Sequence, residues 1–259
     1  MNLDLEKKLI KYYTRYYKDQ CCLPDWEKRV TGRIHEEDKE TQRMKALAED
    51  FNFDFNNKKH LIVGAGTGGL AVVIKNNYAS EVFGVEPEEE EYEIIKLRCI
   101  ENNINVDNFK KAYGEKLPYT DSSFDFVHCF TVLEHVQDVN ECLNEMIRCV
   151  KKGGKIIINT PNYSFPYEGH YKIYFPTFLP KIFGYLYLLI LRKDYTFLKS
   201  INYITEKSLN KILVTKNNIQ WLRIYKAPGL GGGFLRKIVN YLIMKKFIYP
   251  QQDLIITKK

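Results

Sequence analysis

The chain has 259 residues, with 39 Lys and Arg against 32 Asp and Glu for a net charge of +7, and 45% hydrophobic and 27% charged residues. That mixture excludes a fully disordered chain and suits one large domain, or one domain with an inserted or appended piece. The six cysteines (Cys21, Cys22, Cys99, Cys129, Cys142, Cys149) make no C-x-x-C pair and no ligand spacing with histidine. This predicts free thiols in a reducing, cytoplasmic setting and no metal. Charges through the opening MNLDLEKKLIKYY predict no secretory leader. The uncharged apolar run at 182–191 is far short of the roughly 20 residues that a membrane span needs.

Residues 1–58 read as a helical cover. The run 33–51 carries apolar residues at Met44, Leu47, Ala48 and Phe51, at helical steps. Tyr12, Tyr13, Tyr16 and Tyr17 pair at i, i+4 and read as a packing stripe. From Lys59 the pattern changes to strand, glycine turn and helix (HLIVGAGTGG, then LAVVIKNNY). A second strand is expected at 81–87, then a helix at 88–103 whose glutamates suit its positive end. A third strand falls within 106–118, a fourth at 123–130, a helix at 140–154 closing on Lys-Lys-Gly-Gly, and a fifth strand at 155–161. Strands alternating with helices in this way imply a parallel sheet covered on both faces. After Pro161 aromatic and prolyl residues dominate for about forty residues. A helix capped by Thr205 follows, then strands at 218–227 and 253–259 with an amphipathic stretch, 234–247, between them.

The run Val63-Gly64-Ala65-Gly66-Thr67-Gly68-Gly69 closes a strand and opens a helix. Glycines there allow a sharp turn and close approach of a ligand to backbone amides at a positive dipole end. Glu86 stands 22 residues past Gly64, at the end of the second strand. A carboxylate in that position can accept hydrogen bonds from both ribose hydroxyls, so the pair points to a nucleoside-containing cofactor without saying which.

Four further runs follow at ordered separations: GEKLP (114–118), DSSFDFV (121–127), VLEHV (132–136) and KGG (152–154). With the glycine loop they resemble the class I S-adenosylmethionine-dependent methyltransferases, in particular the small-molecule group of ubiquinone-biosynthesis and related enzymes (type 11). The resemblance is close over 59–162. It implies a Rossmann-like, seven-stranded, mostly parallel α/β sheet with helices on both faces and one reversed late strand, an N-terminal helical cover (1–58), an S-adenosylmethionine-binding core (59–162), an inserted substrate lid (163–204) and a C-terminal part of the core (205–259). It also implies roles: Gly64, Ala65, Gly66 and Thr67 under the methionyl part, Glu86 on the ribose with Pro87 beside the adenine, Gly114 and Glu115 flanking the adenine, and Phe130 and Thr131 below the methionyl end. Two positions depart from the family pattern. Ile62 and Tyr113 stand where acidic residues are usual, so the amino-acid end and the adenine amino group are expected to be held differently, with Glu115 as a substitute for the second contact.

Methyl transfer is an in-line displacement in which the cofactor carries the difficult chemistry. The protein aligns the reactants and sometimes removes a proton. Of the five histidines, His35, His60 and His128 read as structural. His135 follows the fourth strand, where it either fixes the loop or meets substrate. His170, after the fifth strand, is the favoured general base. TPNY (160–163) superficially resembles the signature of amino-methylating nucleic-acid enzymes, but it lacks the second proline and follows the wrong strand.

The charge divides unevenly, with a net −5 on residues 1–162 and +12 on 163–259. A basic lid predicts an anionic small-molecule acceptor, methylated at oxygen, such as a sugar or phosphoryl precursor of a surface (capsular) polysaccharide. A lipid-like or quinone acceptor is the alternative within enzymes. A nicotinamide dehydrogenase or a non-catalytic cofactor-binding protein are the alternatives outside it. Nucleic acid is not expected, because the basic residues are scattered. The run around 182–191 reads as a buried lid helix, with peripheral membrane contact as the other reading.

Overall fold

The computed structural model describes residues 2–174, 177, 179–225 and 249–259. The amphipathic stretch expected at 234–247 and the last two positions of the strand expected at 218–227 lie outside the described residues.

Three helices open the chain: α1 (Leu3–Thr14), α2 (Trp26–Ile34) and α3 (Glu36–Phe51). The Asn2 side chain caps α1 by accepting from the Asp4 N–H at 3.1 Å. The single helix expected from residue 33 is interrupted, because His35 has left the helical region (φ −105°, ψ 38°) between α2 and α3. Then come β1 (Lys59–Val63), α4 (Gly69–Tyr78), β2 (Glu81–Val85), α5 (Glu89–Glu101), β3 (Phe109–Lys110), β4 (Phe124–Phe130), α6 (Val139–Cys149) and β5 (Val150–Pro161). A two-residue ladder, β6 (Tyr167–Glu168) and β7 (Ile173–Tyr174), precedes α7 (Lys181–Ile190), α8 (Thr196–Ser200) and α9 (Glu206–Leu213). The strands β8 (Ile219–Ile224) and β9 (Gln251–Lys258) finish the sheet.

The seven-stranded sheet has the order β3-β2-β1-β4-β5-β9-β8, with β9 antiparallel to both neighbours and every other pair parallel. The strand order reverses at β1 and β4. That reversal opens a crevice at the carboxyl ends of the strands, where α/β sheets hold ligands. Alternation along the strands makes two cores. Leu61 and Val63 face α6 and α9 on one side, and Ile62 packs with α3 and α4 on the other.

A second boundary differs from expectation. Residues 150–154 are extended and not the last turn of a helix. Buried, β-branched Val150 pairs with Phe124 of β4, and the register shifts before Phe126 pairs with Lys155. Lys151 is held by Asp125 at 2.8 Å. The helix expected at 182–191 does form as α7, but it is not buried. Ile182, Phe183, Leu186, Leu189 and Ile190 are all at least half exposed along one face. Only Gly184 and Leu188 of that helix are buried.

His60 and His128 lie fully buried on the α3/α4 side of the sheet, with His60 Nδ1 2.9 Å from His128 Nε2 and His60 Nε2 3.2 Å from the Phe55 carbonyl. Burial lowers both imidazoles, that of His60 to about 4. A histidine kept neutral in the fold contributes stability above its ordinary pKa and loses it as pH falls, because the unfolded chain takes the proton first. Urea midpoints should therefore drop between pH 6.5 and about 4. His60 alone should contribute roughly 3 kcal/mol over that window. The His60→Phe/His128→Phe double variant should have a flatter profile than the native chain, and an unchanged profile would refute this account.

Candidate active site

At the carboxyl ends of β1, β2 and β4 lies a cleft of about 840 Å³. All of the residues singled out in the sequence line it: Gly64, Ala65, Gly66, Thr67, Glu86, Pro87, Gly114, Glu115, Phe130, Thr131, His135 and His170.

The glycine loop is built as its sequence requires. The Ala65 N–H donates to the Val85 carbonyl at 2.9 Å, tying the loop to β2. A Cβ on Gly64 would stand 2.3 Å from Val132, so that position tolerates no side chain. Gly66 has φ +54°, and the space above it is open, which leaves its backbone face to a ligand. Glu86 is buried. Its Oε2 accepts from the Gly66 N–H at 2.7 Å and its Oε1 from the Glu88 N–H at 3.1 Å. Burial and the neighbouring Glu91 push the Glu86 carboxyl above the usual range. Burial raises Glu91 as well, although it accepts a 2.6 Å hydrogen bond from Tyr12 Oη. Farther along, Glu115 accepts from the backbone N–H groups of Gln137 (2.5 Å) and Asp138 (3.3 Å) through Oε1, while its buried Oε2 has no partner among the described residues.

Residues that sequence reasoning missed complete the wall. Glu36, the first residue of α3, is buried and accepts from Thr67 Oγ1 at 2.8 Å and from the Gly69 N–H at 2.9 Å. The carboxylate thus sits on the amino terminus of α4, where the dipole favours it. Arg33 Nη1 and Arg98 Nη1 each approach Glu36 to 3.2 Å, and Arg98, 1% exposed, also reaches Glu37 at 2.6 Å. Tyr13 Oη lies 2.8 Å from Thr67 Oγ1. The tyrosines read as packing do pack, but Tyr12, Tyr13, Tyr16 and Tyr17 also face the cleft. The capping carboxylate arrives from α3, so the strand pattern around Ile62 carries no sign of it.

The other end of the cleft is formed by the loop after β4 and the turn after β6. Thr131 holds φ +56°, a strained conformation for a β-branched residue. Arg43 of α3 sits 4.4 Å over the Phe130 ring. Glu134 is fully buried, and Thr160 Oγ1 donates to it at 3.0 Å. Desolvation raises its carboxyl to about 7. His135 is exposed on the cleft wall, and desolvation by the atoms around it, with His170 nearby, lowers it to about 4. The His135 and His170 rings meet edge to face at 5.3 Å. His170 Nδ1 lies 2.7 Å from Oε1 of Glu168, a carboxylate that is 1% exposed. Of the cations lining the cleft, Arg15, Arg29, Arg33, Lys39 and Arg43 come from the N-terminal segment, and Lys172 comes from the basic back third.

A Rossmann-like sheet with a glycine loop, an acidic residue ending β2 and a cleft at the strand reversal defines a nucleoside-cofactor domain of the class I type. Residues 61–158 match the model of a methyltransferase domain family. The methyltransferase YcgJ of Bacillus subtilis, itself uncharacterized, is 30% identical over 98 residues, which is 38% of each chain. The ubiquinone biosynthesis O-methyltransferase of Klebsiella pneumoniae is 33% identical over 105 residues, 40% of this chain and 43% of that one. These alignments span less than half the length of either relative. The solved structure of YcgJ superposes with a TM-score of 0.54 at 17% identity over 85% of this chain and 99% of that one. Geranyl diphosphate C-methyltransferase of Streptomyces coelicolor, solved with S-adenosyl-L-homocysteine, gives 0.55 at 15% over 90% and 79%. Residues 61–158 are thus similar in sequence to a methyltransferase domain, and the chain around them shares the fold of these solved structures.

The Glu36 network gives a stability prediction. Removing one partner of a buried pair strands the other charge, so Glu36→Ala should cost about 3 kcal/mol in urea unfolding. Adding Arg98→Met should recover part of that loss. No recovery in the double variant would show that the pairing is not what Glu36 contributes.

Proposed function

We propose that the chain transfers a methyl group from S-adenosylmethionine to an oxygen of a small anionic acceptor, leaving S-adenosylhomocysteine. The observation that carries this reading is the Glu86 carboxylate bound to the Gly66 amide at the edge of an open cleft, inside a domain of this family. The cofactor supplies an electrophilic methyl group on a sulfonium. Gly64, Ala65, Gly66 and Thr67 run beneath its methionyl part, with Glu36 behind them. Glu86 accepts from the ribose hydroxyls, and Pro87 and Gly114 flank the adenine. Glu115 offers its unpartnered Oε2 to the adenine amino group. Phe130 and Thr131 floor the methionyl end, so the acceptor meets the methyl beside His135 and His170, where its hydroxyl proton is lost. Residues 1–58 act as a cover and 163–204 as the substrate lid, with 59–162 and 205–259 forming the core.

The cations along the cleft support an anionic acceptor, and a sugar or phosphoryl precursor of a surface polysaccharide is the class we favour. The exposed apolar face of α7, beside Lys181, Arg192 and Lys193, favours a second reading, a lipid-like or quinone acceptor taken at a membrane surface. The name of the Klebsiella relative fits that reading. Co-sedimentation with anionic vesicles at moderate salt, abolished by Leu186→Glu, would support it. Absence of the protein from the pellet would leave the water-soluble acceptor.

Calorimetry separates the methyltransferase from its rivals. S-adenosylhomocysteine should bind and NAD should not. NAD binding alone would make the protein a dehydrogenase, and binding of neither would make it a scaffold. Affinity for S-adenosylhomocysteine should rise with pH as the buried Glu86–Glu91 pair loses its proton, since ribose hydroxyls donate to the ionised form. Glu86→Gln should weaken binding by roughly 10- to 100-fold, the loss of hydrogen bonds to a charged group, and should flatten the pH dependence. His170→Ala should lower turnover by about 100-fold or more with cofactor affinity retained. Undiminished turnover would remove His170 from the site.

A further inference from the structure

The acceptor end of the cleft holds a group of donors that methyl transfer by itself does not require. One donor atom from each of Glu134, His135 and His170 lies within 4.8 Å of the other two. Glu134 and His135 come from the loop after β4 and His170 from the turn after β6, 35 positions later in the chain. No local spacing marks them, which is why the sequence predicts no metal.

Two observations bear on what this group holds. Glu134 is fully buried and its Oε1 has no hydrogen-bond partner among the described residues, although a carboxylate in a dry site needs a donor or a cation. Glu168 stands behind His170. Its Oε1 takes the Nδ1 position at 2.7 Å and its Oε2 is fixed by the Tyr171 N–H at 2.7 Å. A carboxylate only accepts, so Nδ1 is the donor of this pair and Nε2 is the ring nitrogen turned away from Glu168. That carboxylate–imidazole arrangement is how proteins orient a metal-ligating histidine.

We propose that Glu134, His135 and His170 bind a divalent first-row transition ion, with Glu168 as the positioning residue for His170. Two imidazole nitrogens and one carboxylate oxygen suit zinc or manganese and leave coordination positions open. Its use rests on the methyltransferase reading, but its existence does not. An acceptor hydroxyl entering an open position becomes more acidic, so the proton lost at this cluster passes to cleft water and His170 does not have to take it. The step balances without redox chemistry: the oxygen's freed electron pair forms the bond to the methyl carbon, and the electrons of the broken carbon–sulfur bond return to sulfur.

The test is calorimetric titration of the chelator-stripped full chain with ZnCl2 and with MnCl2, without cofactor. We expect one equivalent of at least one of the two ions to bind, and at least tenfold weaker binding in His170→Ala and in Glu168→Gln. No saturable binding of either ion, or binding unchanged in both variants, would overturn the proposal. Electron spin-echo modulation of the wild-type manganese complex gives a measurement independent of variant folding. Nitrogen coupling from imidazole is expected, and its absence from a bound ion would place that ion elsewhere and also overturn the proposal. The two readings fail separately. Methyl transfer persisting in a protein that binds neither ion removes the metal site alone, whereas ion binding in a protein that ignores S-adenosylhomocysteine removes the methyltransferase reading alone.

Discussion

The carboxylate of Glu36 joins parts of the chain that are otherwise separate. A buried charge must be matched by donors and counter-charges, and Glu36 finds them on the glycine loop (Thr67 and the Gly69 amide), on α2 (Arg33) and on α5 (Arg98). Satisfying it fixes the start of α3 against the start of α4. The position of α4 then fixes the loop that precedes it. Tyr13, hydrogen-bonded to Thr67, and Tyr12, bonded to Glu91, extend the constraint to α1. The N-terminal helices are therefore a wall of the cleft, held by electrostatics that exist only when the β1–α4–β2 unit is formed.

That wall changes the electrostatics of the site. Glu86 and Glu91 lie close together in a desolvated pocket, and each is pushed toward its neutral form. The arrangement is unfavourable in isolation and would be relieved by any group that brings donors to Glu86. At the far end, Glu134 is raised by burial, with no donor to Oε1 among the described residues. Both ends of the cleft hold carboxylates whose solvation is incomplete in the protein alone, the condition expected of groups that complete their coordination on a ligand.

The sheet was legible because its signals are local. β1, β2, β4, β5 and β9 are apolar runs bounded by turn residues, and α9 announces its start with Thr205, whose side chain accepts from Ser208 as a cap should. The glycine-loop end of the cleft was legible for the same reason: the glycines and Glu86 are fixed by spacing along one βαβ unit. The α6–β5 boundary was not, because Lys-Lys-Gly-Gly is as compatible with a helix end as with the bulged start of a strand. Pairing of Val150 with Phe124, a tertiary event, decides between them. Glu36 and Glu168 had no local signal at all. Their partners are 31 and 33 positions away for Glu36 (Thr67 and Gly69), and for Glu168 the neighbouring His170 matters only once the turn after β6 is folded against the β4 loop. The exposure of α7 was equally hidden, since an apolar helix reads the same whether a protein core or another apolar surface receives it.

The charge split of the sequence takes a different meaning in the fold. A net +12 behind residue 162 suggested that the back third supplies the counter-charge for an anionic acceptor. Many of those cations instead tie the structure together. Lys193 donates to the carbonyls of Cys21 and Cys22, Lys216 to Asn140 and Asn144, and Lys258 to the Val150 carbonyl. Arg223 joins α9 to β9 through Asn210 and Gln252. Lys172 is the cation of that third that lines the cleft, among the described residues, while five arginines and lysines reach it from residues 15–43, a segment with little net charge. Net charge measures how much of one sign a segment carries, not where its side chains point. Here the acidic partners of the N-terminal helices (Glu36 with Arg33 and Arg98, Glu40 with Arg43) cancel the sum while leaving guanidinium groups on the cleft wall. The positive charge of the cleft wall therefore comes from α2 and α3 more than from the segment after β5, which contributes Lys172, His170 and the buried carboxylate beside it.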